Sequence, residues 1–376
     1  MIVLKRDPGI LLLTLLLFCF SLDVQAPISF YGTQFVGLLG LLFVRFIFYP
    51  KISLNSLKLF FSIVIALEVL CFIQNLYIKQ ELLILVYQRV IFLLSIGILF
   101  YDYLILTKEE TLKKVLSIFI TFMSIVVLLQ FVGFYFLHLD RSLLDFGLLL
   151  GGEESRTWYF GDWLYRPTGI TSEPAIFVGV QFGLLTLQYL VDKTAKLSKL
   201  LGVLSLVLSM SFLGLILAAL FLIVVYSKNI INYIVGSIFL FLFYVFSFEM
   251  INERIERFVK GDDGSNNVKI EAFKYFISDP NITFFGYGFL FRSEGKPQFY
   301  DALLDLTFYL NSLTIFGVLI GSIILFALFY FIFKSKSSIK EKILILLSLI
   351  KLSNPSVLFF TLFISLCIVI LKKRNL

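Results

Sequence analysis

The sequence predicts an all-α polytopic membrane protein of about twelve membrane segments, and three observations predict it. Of 376 residues, 59% are apolar and 15% charged, whereas soluble domains carry about a quarter charged residues. Apolar runs recur from end to end, many of them the roughly 18 to 25 residues that cross a bilayer as a helix. Mean hydropathy is +0.97, which leaves no stretch for an independent soluble domain of roughly 100 residues. The chain 1–376 therefore reads as a single transmembrane domain. A transmembrane β-barrel would show alternating segments of about 10 residues, and the continuous runs exclude it. The net charge of +7 reads as an orientation signal and not as a nucleic-acid surface, so no nucleic-acid partner is expected.

The runs fall near 9–25, 28–48, 59–78, 82–106, 115–137, 174–191, 200–226, 230–247, 307–333 and 343–371. The first resembles a secretory signal, with Lys5 and Arg6 ahead of it and Val24-Gln25-Ala26 behind. Pro27 directly after that site opposes cleavage, and the run reads as a retained first helix. Lysine and arginine cluster at Lys5 and Arg6, at 51–58, 108–114, 193–199, Lys228, 334–342 and 372–374. All of these belong on the cytoplasmic side by the positive-inside rule. Ten straight spans cannot place them there. Parity is restored when 200–226 breaks near Ser209-Met210-Ser211 and 343–371 breaks at Ser353-Asn354-Pro355, where proline stops a helix. Twelve segments, four of them from two short broken pairs, then leave both termini cytoplasmic in a bacterial inner membrane.

Two larger polar stretches lie outside on this reading. Residues 138–173 hold three basic and six acidic side chains, and 248–306 hold seven and ten. In the second, Ile251, Ile255 and Phe258, and then Val268, Ala272, Phe273, Phe276 and Ile277, recur at helical spacing, which predicts short amphipathic helices lying on the membrane face.

The residues bound the chemistry. Cys19, Cys71 and Cys367 all sit in apolar runs and read as packing residues. His138 is the one histidine, which excludes a histidine-rich zinc site. The most informative stretch runs from Arg166 through Gly169 to Glu173 and Pro174. Thr171 or Ser172 is the expected N-cap of the next helix, and a helix N-terminus beside Arg166 is a ready anion site. A second group holds Arg254 and Arg257 on one helical turn, Gly286-Tyr287-Gly288, Arg292, Asp301, Asp305 and Asn311, followed by Gly317 and Gly321. Glycines beside Tyr287 permit close backbone approach, and Gly261-Asp262-Asp263-Gly264 reads as a plain turn. Within the spans, Glu68 and Arg89 are expected to pair across two helices, while Arg45, Asp102 and Lys351 are placed to snorkel.

This arrangement resembles the bacterial O-antigen polymerase (Wzy) family, within the wider polymerase and ligase group. The resemblance covers the topology of the whole chain. In motif terms it rests on Arg166 to Pro174, on Ser209 and Ser211 before Gly214, on Arg254 and Arg257, and on Gly286 and Gly288 followed by Asp301, Asp305 and Gly317. It implies a metal-independent, GT-C-like glycosyltransferase without a cofactor. Such an enzyme passes a growing glycan from undecaprenyl diphosphate to a new lipid-linked repeat unit at the outer face, in company with membrane lipids and a Wzz-like chain-length regulator. The leaving diphosphate needs fixed cations, a role that suits arginine; the candidates are Arg166, Arg254, Arg257 and Arg292, with Tyr287 beside them. Glu173, Asp301, Asp305 and His138 are the candidate proton acceptors. Trp158, Tyr159, Trp163, Tyr165, Tyr287 and Tyr300 are placed to stack on sugars or to form an interfacial belt. A ligase resembles the same layout but carries a histidine in the second outer loop, where this chain has none. A flippase would show short loops and a repeated half-chain pattern.

Overall fold

The computed structural model describes residues 9–24, 26, 34–48, 54–78, 81–157, 164–226, 252, 256, 259–260, 264–290, 298–303, 306–355 and 357–375. Among these residues the chain is helical, with no β-strand. A helix satisfies its own backbone hydrogen bonds, which apolar surroundings demand. The helices are α1 (Gly9–Ser21), α2 (Gln34–Phe48), α3 (Leu54–Ile78), α4 (Glu81–Leu106), α5 (Glu109–Tyr135), a short α6 (Phe146–Leu149), α7 (Pro174–Val191), α8 (Lys196–Leu208) and α9 (Phe212–Tyr226). After these come α10 (Gly264–Ser278), α11 (Pro280–Phe285), α12 (Phe308–Lys334), α13 (Ile339–Ser348) and α14 (Leu358–Asn375). By length and composition, α3, α4, α5, α7 and α12 are each long and apolar enough to cross a membrane, and α1 and α9 are shorter apolar helices.

Both anticipated breaks are present. Helix α8 stops at Leu208 and α9 starts at Phe212. Met210 adopts φ 51°, and the Ser209 hydroxyl donates to the Leu206 carbonyl at 2.7 Å. Gly214 lies so close to that carbonyl that a Cβ would stand 2.6 Å from it, so α9 doubles back along α8. Helices α13 and α14 are likewise separated by residues 349–357, which contain Pro355. With 13 and 10 residues, α8 and α13 rise only about 20 and 15 Å, well short of the roughly 30 Å hydrocarbon layer.

The turns of both hairpins rest against α7. Gly214 of one meets Val178, and Lys351 and Leu352 of the other meet Gly179 and Gly183. Helix α7 is consequently buried along almost its whole length. Its polar side chains join its neighbours: Gln181 donates to Ser124 and Ser205 at 3.0 and 3.1 Å, Gln188 donates to Ser198 at 2.6 Å, and Ser348 donates to Thr186 at 2.9 Å. Such bonds between apolar helices contribute about 0.6 kcal/mol each.

Helix α12 departs from the single span expected over 307–333. Gly317 has φ 73° and ψ 168°, which is not helical. Beyond it the chain reverses, because Tyr309 stacks on Phe329 with ring centroids 6.0 Å apart, where 20 residues of straight helix would hold them about 30 Å apart. The first limb, 308–316, rises beside the α13–α14 turn, where the Phe308 amide donates to the Leu349 carbonyl at 3.0 Å. The second limb returns towards Lys334.

One end of the molecule gathers cations. Arg374 and Lys193 pair with buried Glu341 at 2.9 and 3.0 Å. Lys373 donates to the Leu104 carbonyl, Lys340 to Val225 and Lys342 to Phe333 at 2.9 to 3.2 Å, and Arg374 donates to Leu190. These lysines and arginines satisfy open carbonyls at the C-terminal ends of α4, α7, α9 and α12. This is the basic end; the loop 138–173 lies at the other, here the loop end. The three cysteines are free, with Cys71 and Cys367 packed in the core. The expected Glu68–Arg89 pair is not formed among the described residues: Glu68 is exposed, and Asp23 is a carboxylate that acts on Arg89.

Candidate functional site

The loop between α5 and α7 is held by side chains of α5. Gln130 donates to the carbonyls of Leu144 and Gly169 at 2.9 and 3.1 Å and accepts from the Gly169 amide at 2.8 Å. The Tyr135 hydroxyl donates to the Tyr165 carbonyl at 2.8 Å and accepts its amide at 3.0 Å. Asp145, fully buried, accepts from Gly147 and from the amide and hydroxyl of Ser155. Gly169 has φ 62°, and a Cβ there would meet the Phe177 ring at 2.9 Å. The spacing from Arg166 to Glu173 therefore has a mechanical reason: Gly169 turns the chain under Gln130 and delivers Glu173 to the start of α7.

The N-cap of α7 is Glu173, with Pro174 at the first helical position, one residue later than expected. Thr171 and Ser172 are otherwise engaged. The segment after α1 runs parallel to them: the Asp23 amide donates to Ile170 at 3.3 Å, and the Ser172 amide donates to Asp23 at 2.5 Å. This pairing anchors Asp23 beside the α7 N-terminus. Arg156 reaches the same place, its amide donating to Ser172 at 2.8 Å and its guanidinium pairing with Glu173 at 2.7 Å. Arg166 is half-buried, and its guanidinium donates to the Arg156 carbonyl at 3.3 Å. The Arg156 guanidinium thus stands at a helix N-terminus with Glu173 as its anion, and the Arg166 guanidinium lies beside the Arg156 backbone; a helix N-terminus is a setting that favours an anion.

Below them is a cavity of about 150 Å³ lined by Asp23, Ile176, Gly179, Val180, the turn residues Lys351 to Asn354, and Val357, Phe359 and Phe360. Burial pushes the Asp23 carboxyl above the usual carboxylate range; Arg89 opposes that shift and Glu173 adds to it. Asp23 and Arg156 are the residues that sequence reading missed. Neither stands in a motif, and their roles arise from pairing across distant parts of the chain. Lys351, expected only to snorkel, lines the cavity.

The second glycine group forms a backbone knot. The Tyr287 and Gly288 amides donate to the carbonyls of Thr314 and Ile315 at 2.7 and 3.0 Å. Gln74 of α3, fully buried, donates to Phe285 and Ile315 at 2.6 and 2.8 Å and accepts the Tyr87 hydroxyl at 2.6 Å. A Cβ on Gly286 would stand 2.2 Å from the Ile315 carbonyl oxygen, and one on Gly317 would stand 2.2 Å from that of Phe284. Tyr287 is buried at 1% exposure among Phe276, Phe299 and Tyr300, with its hydroxyl donated to Ala272 at 3.2 Å. This corrects its expected contact with a diphosphate: it is a packing residue that clamps α10 to the knot.

Helix α10 contains the second predicted amphipathic stretch. Ala272 and Phe276 face the core, while Phe273 and Ile277 are exposed. His138 is exposed at the end of α5 in a left-handed turn, φ 50°, and is not among the groups gathered around Glu173. Asp301 lies in a 3₁₀ turn, 298–302. Its side chain and that of Arg45, together with Arg254, Arg257, Arg292, Asp305, Trp158, Tyr159 and Trp163, and the expected 230–247 span, lie outside what the structure describes. Among the described residues no group of three or more His, Cys, Asp or Glu side chains is placed to hold a metal ion. Comparison with protein-family models, curated proteins and solved structures finds no match.

Proposed function

We propose that the chain is a polysaccharide polymerase that transfers a growing glycan from undecaprenyl diphosphate to a lipid-linked repeat unit. The observation that carries the reading is the meeting of Arg156, Arg166, Glu173 and Asp23 at the N-terminus of α7. The concentration of lysine and arginine at the basic end supports an orientation with that end in the cytoplasm and the loop end in the periplasm. A twelve-segment bacterial inner-membrane protein with both termini inside fits that orientation. In this reading Arg166 and Arg156 bind the diphosphate oxygens. Positioned cations of this kind contribute about 3 kcal/mol each to charge developing on a leaving group. A carboxylate of the same cluster takes the proton of the accepting hydroxyl, and a chain-length regulator in the same membrane sets the product size.

The test is complementation of a deletion strain. Loss of the gene should leave surface lipid capped with a single repeat unit. Arg166→Ala should abolish chain growth while the protein stays in the membrane, and Arg166→Lys should fail as well, because lysine keeps the charge and loses the two-pronged grip. Full-length ladders from both variants reject the reading. The interruption of α12 at Gly317 and the breaks between α8 and α9 and between α13 and α14 favour one second reading, transport of the lipid-linked glycan, since broken helices are typical of transporters. In that case deletion accumulates lipid-linked units on the cytoplasmic face.

A further inference from the structure

We propose, resting on the polymerase reading, that the cavity between the end of α1, α7 and the α13–α14 turn receives the accepting sugar of the lipid-linked unit and that Asp23 takes the proton of its hydroxyl. Of the two carboxylates at the α7 N-terminus, Glu173 already holds the Arg156 guanidinium at 2.7 Å and is engaged in an ion pair outside the cavity lining. Asp23 lines the cavity itself. Its backbone is fixed on both sides, through its amide to Ile170 and its carbonyl to Ser172, so the carboxylate is presented from a rigid support.

The cavity suits a sugar edge. Asp23 supplies an acceptor, Lys351 a donor, and Ser353 and Asn354 further polar groups, against apolar walls from Ile176 and Phe360. That is the composition of sites that bind small polar ligands by a few fixed hydrogen bonds. Gly179 lets the Lys351 side chain pack directly on α7 at the cavity wall, because a Cβ there would meet it at 2.9 Å. The Arg156 guanidinium is held at the same helix end by Glu173, and neither Arg156 nor Arg166 lines the cavity, which leaves it to the accepting hydroxyl.

The step balances without a further reagent. The hydroxyl proton passes to the Asp23 carboxylate, and the hydroxyl oxygen forms a bond to the anomeric carbon of the donor glycan. The bond from that carbon to the diphosphate oxygen breaks, and its electron pair leaves with undecaprenyl diphosphate. Asp23 returns the proton to water at the loop end. Arg89 of α4 and Glu173 act electrostatically on Asp23, and Lys351 of the α13–α14 turn shares its cavity; burial raises its proton affinity, as an acceptor requires.

The test uses full-length protein in detergent and, as probe, the single-unit lipid extracted from the deletion strain. Asp23→Asn should lower turnover about 100-fold or more with KM changed less than roughly threefold, since a positioned base contributes about 10² to 10⁴. Asp23→Glu should retain part of the turnover. Ile176→Trp, which narrows the cavity while keeping the Asp23 carboxylate, should raise KM for the probe, and this keeps the proposal testable where Asp23→Asn does not fold. Wild-type turnover by Asp23→Asn with Arg166→Ala inactive overturns the role of Asp23 and leaves the polymerase reading intact. An unchanged KM in Ile176→Trp overturns the cavity as the accepting site. Absence of turnover by the wild-type protein overturns both the polymerase reading and the proposal.

Discussion

At the scale of single residues, the candidate site depends on groups that touch no ligand. Gly169 and Gln130 are the clearest. Alanine at position 169 would have to adopt a left-handed backbone, which costs about 1 to 2 kcal/mol, and would crowd Phe177 besides. Gln130→Leu would strand the buried carbonyls of Leu144 and Gly169, at about 1 to 3 kcal/mol for each unsatisfied group. Both variants are expected to lower the thermal midpoint in detergent. Both should also speed proteolysis within 138–173 while the rest of the chain stays protected. Equal protection of that loop in wild type and variants would show that it is held by something other than α5. The sequence carried half of this. The run from Arg166 to Pro174 was legible as a loop feeding a helix N-terminus, and Gly169 was visible within it. Asp23 was not, because its importance comes from lying beside Thr171, and nothing near residue 23 announces that contact.

Among the elements, the two hairpins and the folded-back α12 show where pattern reading succeeds and where it stops. The breaks in 200–226 and 343–371 were legible because charge parity demanded them and because Pro355 supplied a cause for one. The reversal in α12 was not, since apolar residues continue through Gly317 without a polar interruption and parity is unaffected by a fold-back. Its only local sign was the pair Gly317 and Gly321. The φ and ψ of Gly317 fall where essentially only glycine is found. Gly317→Ala is therefore expected to cost about 3 kcal/mol or more from strain and the clash with Phe284 together. Fluorescence-detected size exclusion after detergent extraction would show it as lost monodisperse protein. Gln74→Leu should act through the same knot by freeing the carbonyls of Phe285 and Ile315. A well-behaved Gly317→Ala protein would contradict the reversal.

For the whole molecule, the basic end is the joint that ties the long helices to the hairpins, and Glu341 is its centre. Burial pushes the Glu341 carboxyl up, but hydrogen bonds from the Ser338 amide, Lys193 and Arg374 more than offset this and hold it below the usual range. A carboxyl depressed in the folded state contributes stability above its unfolded pKa and loses it as pH falls through the folded value. Wild-type protein should therefore lose thermal stability as pH drops below about 4.3. Glu341→Gln should be less stable at neutral pH by about 2 kcal/mol and flatter across that window, the figure reduced because Lys193 and Arg374 are partly solvated. Melting curves from pH 3 to 7 would decide it; parallel curves for both proteins would remove Glu341 from this role.

The burial of α7 on every side bears on how the chain is made. Synthesis delivers α7 before α8, and well before α13 and α14, so Gln188 and Thr186 emerge without the serines that later join them, whereas Gln181 finds Ser124 of α5 already made. Until α13 is made, Thr186 therefore lacks the Ser348 hydroxyl that donates to it in the finished fold.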